Sequence, residues 1–475
     1  MRSTQAMFPL ASSFRDPSGF VFSHNERVYR QVNNVFSDEF DAFMSSGLYE
    51  ELLAKGLLIS HDEVMDESIP RTTACYKLIE PLQIPFISYP YEWSFSQFKD
   101  AAMVTLRAQA VALKYGYTLK DASAYNVQFN GYCPVLIDTL SFVRHVQNTP
   151  WVAYQQFCQH FLAPLALAAH ADIGLGKLMM SHIDGIPLSL ASRLLPMKTR
   201  MNYGLLVHVH LHAKLQMTYA DMGGEGARKV KKVKRRTAKV SRRRLKAIVE
   251  SLASTVQKLE WKPDKTEWGS YYSSTNYSEK AAEDKKKLVA QYLMNIDSPL
   301  NIIQDLGANT GLYSRVAAPH CKLVVSQDMD PVAVERNYLA AKELKLPNLL
   351  PLVQNLSEPS PAIGWANEER DSFRQRAKCD VVLALAIVHH LAISGNVPLD
   401  KIARFLASLG KWLVIEFVPK SDSQVVRLLE TRDDIFLDYT KDGFETAFRQ
   451  YFSFVERQQV SGSLRTLYLL KNTNG

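Results

Sequence analysis

A chain of 475 residues is too long for one ordinary hydrophobic core, so two or three domains are expected. Its composition, 47% hydrophobic and 22% charged with 21 Gly and 21 Pro, is that of a folded protein and excludes disorder throughout. The net charge of +8 is local, because Arg228 to Lys246 alone carries 12 Lys or Arg and no acid, which leaves the remainder acidic. Cys75, Cys133, Cys158, Cys321 and Cys379 are never closer than 25 residues, which excludes CxxC pairs and zinc-finger spacing and points to a reducing compartment. The start MRSTQAMFPLASSF lacks the apolar core of a signal peptide, and the best later run, FLAPLALAA, stops short of His170 and Asp172. A soluble, cytoplasmic protein with no membrane partner is expected.

The amino-terminal half reads as α+β. FVFSHNERVYRQV alternates around a turn-like centre, CYKLIEPLQIPFISYP is β-like with prolines, and SFSQFKDAAMVTLRAQAVALKYG has the spacing of a long amphipathic helix. LKDASAYNVQFNGYCPVLIDTLSF follows, with Asp121, Asn126 five residues on and Asp138 twelve further. This spacing resembles the catalytic loop and metal-binding Asp of protein kinases and aminoglycoside-type phosphotransferases. In those enzymes the first Asp handles the acceptor hydroxyl, and the Asn and second Asp hold magnesium. Several parts depart from that pattern. Leu119 stands where a His is usual, Thr139 or Leu140 where a Gly is, no Gly-rich loop precedes the strands near Val21 to Val32, and Lys77 is a weak candidate for the phosphate-binding Lys. The resemblance therefore implies a kinase-like fold kept as scaffold or acceptor-binding domain, and an accidental Asp–Asn spacing is the plain alternative.

From Trp151 to Tyr219 the pattern is largely helical. His208, His210 and His212 alternate, but in a helical context without a nearby acid or Cys they read as packed or surface histidines and not as a metal site. DMGGEGA and the basic run mark a boundary near residues 222 to 245. Its twelve cations suit RNA or an acidic partner surface, although no aromatic residues interleave to stack on bases.

Beyond a helix expected to start at the Ser278 cap and end near Met294, the runs LNIIQ, KLVVSQ, LLPLVQ, DVVLALAIV and KWLVIEFV are buried-strand candidates. Helical stretches such as PVAVERNYLAAKEL and DKIARFLASLG separate them, which predicts a doubly wound parallel α/β sheet. RQYFSFVERQQV and RTLYLLK read as a terminal antiparallel pair.

The first strand-to-helix turn is DLGANTG. Counted from Gly307, the positions that must be glycine in a dinucleotide fingerprint hold Gly, Asn309 and Leu312, and no Lys-Ser or Lys-Thr closes a P-loop. The turn instead resembles motif I of class I S-adenosylmethionine-dependent methyltransferases, D-x-G-x-G-x-G, with Asn309 in place of the middle glycine. The resemblance implies that Asp305 faces the methionine amino group and that Gly307 and Gly311 leave room for its chain. Asp328, 23 residues on at a strand end, suits both ribose hydroxyls, with Asp330 the less favoured neighbour, and Asn355 falls near the adenine. The fourth strand delivers His389 and His390 to the same sheet edge, and the fifth delivers Glu416.

Together with YEWSFSQFKDAA, LKDASAYNVQFNG and LIDTLSF, these stretches resemble bacterial two-part methyltransferases of the nodulation NoeA type. Such chemistry is an in-line displacement at a sulfonium-bound carbon. It needs an aligned nucleophile and, where that nucleophile carries a proton, a base; His389 or His390 suits that role, with Glu416 orienting it or contacting the acceptor. The amino-methylating N-P-P-Y signature is absent from AIVHHL, which favours an oxygen, carbon or other acceptor. The expected architecture is a kinase-like or acceptor-binding α+β domain at residues 1 to 225, a basic linker and helix at 226 to 264, and a Rossmann-like methyltransferase sheet at 265 to 475. RNA methylation and a regulatory pseudokinase fused to a cofactor-binding domain are the competing functions.

Overall fold

The computed structural model describes residues 9–215, 240–262, 279–430 and 432–473. The Ser278 cap, the Gly-rich boundary and basic residues 228–239 lie outside them.

The carboxyl-terminal half is built on seven strands, β9 (Ile302–Leu306), β10 (Leu323–Asp328), β11 (Leu349–Val353), β12 (Cys379–Ala384), β13 (Gly410–Phe417), β14 (Phe452–Gln459) and β15 (Thr466–Asn472). Their spatial order is β11-β10-β9-β12-β13-β15-β14. The first five are parallel and β15 runs antiparallel between β13 and β14. Continuous apolar runs form these strands because helices cover both faces and leave no wet side to reward alternation. The cover is amphipathic where the sequence is: helix Leu399–Ala407 buries Leu399, Ile402, Ala403 and Leu406, one helical stripe. The order changes direction between β9 and β12, where an open sheet leaves a crevice at the carboxyl ends of its strands.

The amino-terminal half begins with an antiparallel sheet in the order β1-β2-β4-β3, from β1 (Gly19–His24), β2 (Arg27–Asn33), β3 (His61–Glu63) and β4 (Cys75–Pro81). Asn25 and Glu26 join β1 to β2 with φ of 48° and 62°, the left-handed pair that a two-residue hairpin requires. The long helix spans Phe95–Lys114, its start fixed by Ser94 and Gln97 in a reciprocal cap. Short pairs β5 (Tyr117–Leu119) with β8 (Phe142–Arg144), and β6 (Val127–Asn130) with β7 (Cys133–Leu136), follow it. Helical turns then run through 154–211, two of them π-type.

Helix Arg242–Lys258, expected within the linker, lays Leu245, Val249, Leu252 and Val256 into the amino-terminal core. That spacing makes one apolar stripe, and the long helix offers the face to cover it.

The two halves share a core. Leu323 and Val325 of β10, Leu350 and Leu352 of β11, and Tyr338 pack with Phe98, Phe129 and their neighbours. Around this seam Tyr338 Oη donates to Asp100 at 2.6 Å, Glu335 accepts from the Ser96 N–H at 3.0 Å, and the Arg376 guanidinium pairs with the buried Glu92. Among the described residues no helix is long and apolar enough to cross a membrane.

Candidate functional site

The turn after β9 is left-handed three times, with φ of 75° at Gly307, 50° at Asn309 and 76° at Gly311. Asn is the residue other than Gly that enters this region most readily, so the departure from the glycine pattern keeps the backbone path. A Cβ on Gly307 would lie 2.7 Å from Ile387 Cδ1 of the turn after β12, and one on Gly311 would lie 2.1 Å from Asn337 Oδ1. Gly311 therefore makes room for a helix behind the turn, whereas Gly307 faces the cavity. A Cβ at either glycine would thus meet protein, and Gly311 does not border the cavity as the sequence led one to expect.

Hydrogen bonds fix the turn to β10. Gly307 and Ala308 both donate to the Gln327 carbonyl at 2.8 Å, and Asn309 N–H donates to Asp328 at 2.8 Å. The second Asp328 oxygen accepts the Asp330 N–H at 2.9 Å. Asp330 itself caps the next helix through Val332 N–H at 2.8 Å. Asp305, 2% exposed, accepts from Ser314 Oγ at 2.5 Å. Burial and the Asp328 charge push Asp305 up to about 6, against the pull of Ser314 and Lys285. Asp328 is raised too, by burial above all.

These groups border a cavity of about 660 Å³ at the carboxyl edge of the sheet, within the range of small-molecule sites. Asp305, Gly307, Asn309, Asp328 and Asn355 all line it, which brings five of the six expected cofactor residues together. Asn355 is steadied by accepting the Ser357 N–H at 3.0 Å. Met329, Gln354, Leu356 and Leu385 add apolar and amide walls that the sequence did not single out. The first three adjoin Asp328 or Asn355 and were legible by position; Leu385 looked like strand.

The expected acceptor groups divide. His390 lines the cavity, while His389 is 0% exposed behind it, ring centroids 4.1 Å apart, with neither His389 nitrogen hydrogen-bonded. Burial, then the Arg465 charge, lowers His390 to about 4, so its imidazole is neutral at physiological pH; the sequence suggested a group titrating near neutrality. His389 is lowered further by burial. Glu416, 0% exposed, holds Lys285 Nζ at 2.7 Å. Lys285, from helix Glu279–Met294, lines the cavity and was missed because KKK gives no sign of which lysine turns inward.

In the amino-terminal half Asp121, Asn126 and Asp138 come together, since Ile137 N–H donates to the Asn126 carbonyl at 2.9 Å and sets Asp138 beside the loop. Asp121 accepts from Ser123 N–H at 2.8 Å and Gln156 at 2.7 Å, and burial raises its pKa. Asp138 is paired with Arg30 of β2 and bonded to Ser141. Burial opposes its ionisation, but Arg30 and Ser141 more than offset that and hold it below the usual range. Lys77 pairs with Glu63 at 2.7 Å.

His208 bonds to Tyr154 and Ser251, and His210 to Ser192 and Thr199, as expected of packed histidines. Among the described residues no cluster of metal-ligating side chains occurs.

The strand order, the left-handed turn after β9 and the acid ending β10 resemble those of class I S-adenosylmethionine-dependent methyltransferases. No protein-family model matches the chain. It is 34% identical over 477 residues to nodulation protein NoeA of Rhizobium meliloti (strain 1021), across 98% of this chain and 96% of that one, and it belongs to the NoeA family. Among solved structures, N-methyltransferase NodS from Bradyrhizobium japonicum WM9 is 14% identical over 41% of this chain and 98% of its own, with a TM-score of 0.31. Magnesium protoporphyrin IX methyltransferase ChlM from Synechocystis PCC 6803 with bound SAH is 15% identical over 42% and 90%, TM-score 0.31. The bifunctional kinase-methyltransferase WbdD is 15% identical over 40% and 39%, TM-score 0.29.

Proposed function

We propose that the protein transfers a methyl group from S-adenosyl-L-methionine to an acceptor that approaches the His390 side of the cavity. The observation that carries the reading is the left-handed Gly307–Asn309 turn with Asp305 and Asp328 on one wall of a cavity of about 660 Å³. The cavity beside Gly307, with the buried Asp305 and the partly buried Asp328 on its wall, fits a zwitterionic, cationic nucleoside. Asp305 would hold the ammonium, Asp328 the ribose hydroxyls, and Asn355 the adenine edge between Met329 and Leu356. When bound, the cofactor supplies an electrophilic methyl carbon on a sulfonium.

The chain's own residues do the rest. Leu312, Leu356 and Leu385 give the cavity apolar walls, Ser314 donates to the Asp305 carboxylate, and His390, being neutral, can accept a proton or hydrogen bond from the acceptor. Calorimetry on the intact protein with S-adenosylmethionine, beside Asp305→Ala and Asp328→Ala, tests the reading. Binding by wild type and its loss in both variants is expected; a folded wild type that binds nothing would overturn it.

The amino-terminal half is, in the same proposal, a kinase-like fold that binds the acceptor and performs no phosphoryl transfer. Arg30 supports this, because its guanidinium pairs with Asp138 while Leu140 N–H and Ser141 Oγ donate to the same carboxylate, so both oxygens already have protein partners. Saturable magnesium-ATP binding or ATP hydrolysis by the protein would count against it. Five cysteines free of disulfides accord with a cytoplasmic protein.

A further inference from the structure

A second cavity lies in the seam between the two halves. It holds about 190 Å³, and its walls include Trp93, Phe95 and Phe98 at the start of the long helix, Ala168, and Met329 and Val353 at the carboxyl ends of β10 and β11. Trp93 Nε1 donates to Ser88 Oγ at 2.9 Å and its ring meets Phe98 edge-on at a centroid distance of 5.5 Å, so the aromatic wall is held in place by the protein itself. Two polar groups interrupt the apolar lining. Tyr91 borders the cavity and is 8% exposed, and its buried hydroxyl has no hydrogen-bond partner among the described residues. Lys177, exposed, is the one charged residue of the wall and has no ion-pair partner among the described residues. A buried hydroxyl is rarely left unpaired in a folded protein, and a carboxylate has acceptor sites for a hydroxyl and an ammonium at once. An apolar cavity of about 150 Å³ holds a benzene ring, so one of about 190 Å³ holds a ring with a short polar arm. This is not the acceptor side of the larger cavity. Met329 borders both, but His390 follows β12, and β9 stands between β12 and β10.

We propose that the seam cavity is a second ligand site, which takes a small aryl carboxylate: the ring lies against Trp93, Phe95 and Phe98, and the carboxylate accepts from the Lys177 ammonium and the Tyr91 hydroxyl. Both halves supply walls, so the occupant bridges them, and through Met329 it adjoins the larger cavity beside Asp328. The inference stands apart from the adenosylmethionine reading, because Lys177, Tyr91 and the aromatic wall take no part in that site. A ligand of about ten non-hydrogen atoms buried in this way corresponds to a dissociation constant below about 1 mM.

The test titrates the intact protein with phenylacetate and with phenylacetamide, its neutral near-isostere, by ligand-observed NMR, with circular dichroism to verify folding. Wild type should bind phenylacetate and prefer it to the amide by about three- to tenfold. Lys177→Met, at an exposed position, should bring the two ligands within about twofold of each other. Gly176→Phe should weaken both at least about tenfold, because Gly176 borders the cavity and a Cβ there meets no atom within 4 Å, so the new ring enters open space without a clash. Saturating S-adenosylmethionine should leave phenylacetate bound. The proposal is overturned by a folded wild type that shows no saturation up to about 10 mM phenylacetate, by equal affinity of wild type for the two ligands, or by a preference that survives Lys177→Met. Undiminished binding by Gly176→Phe overturns it too, as does displacement that grows with S-adenosylmethionine without limit, which would put the probe in the larger cavity. If Gly176→Phe does not fold, the comparison between wild type and Lys177→Met decides.

Discussion

The ionisation of Asp305 gives the cofactor site a pH dependence that can be worked out in advance. Its carboxyl is wholly buried and titrates at about 6, because burial and Asp328 together outweigh Ser314 and Lys285. The carboxylate, not the acid, attracts an ammonium, so affinity for S-adenosylmethionine should be near its plateau above pH 7 and fall as pH drops through 6. With a free-state pKa of about 6 and a lower one in the complex, the dissociation constant rises about tenfold between pH 7 and pH 5. The cofactor's own amino and carboxylate groups do not change charge there. The perturbation is Asp305→Asn, which keeps the shape and the Ser314 contact but has no proton to lose. Its affinity should be at least about tenfold weaker than wild type at pH 7 and flat to pH 5. Calorimetry at half-unit intervals, with circular dichroism to verify folding, reads both curves. A wild-type curve as flat as the variant's would refute the placement of the ammonium at Asp305.

Four other outcomes follow from the same geometry. Gly307→Ala and Gly311→Ala combine a positive φ with Cβ contacts at 2.7 and 2.1 Å, so each should cost at least about 1–3 kcal/mol in urea unfolding, whereas Asn309→Gly at φ 50° should lie within about 1 kcal/mol of wild type. His389→Leu removes a buried ring whose nitrogens have no hydrogen-bond partner and should match or exceed wild-type stability with turnover retained, while His390→Gln lowers turnover; unchanged rates in both variants would eliminate a histidine base. Because His390 titrates at about 4 when folded and near 6.5 when unfolded, its contribution is present above pH 6.5 and lost as pH falls toward 4, and the urea midpoint should fall across that window, less so in His390→Gln. Arg30→Met strands the Asp138 carboxylate in the interior and should cost about 3–5 kcal/mol of stability without weakening S-adenosylmethionine binding.

The parallel sheet was legible because apolar strands and amphipathic helices alternate from Leu300 onward, and one wall of the carboxyl-edge cavity because one turn and one strand-end acid are local signals. Long-range partnerships were not. Nothing in the sequence ties Lys285 to Glu416, Arg30 to Asp138, or the stripe of helix Arg242–Lys258 to the long helix, since each pair meets only after the chain has folded back. His389 and His390 illustrate the same limit at close range. Adjacent in sequence, they emerge from a strand into a tight π-turn, and a single step of rotation sends one ring to the cavity and the other into the core.

The shared core along β10 and β11 limits how this molecule could have been assembled and how it can be taken apart. Tyr338, on the helix Pro331–Glu343 that packs on β10 and β11, would lose Phe129 in a free-standing carboxyl-terminal half, and Phe129 would lose Tyr338 in a free-standing amino-terminal half. The aromatic surface of the first half therefore awaits its partner during synthesis and is a site for self-association until β11 arrives. Recombination that moved either half to another gene would have to replace this seam with polar residues first.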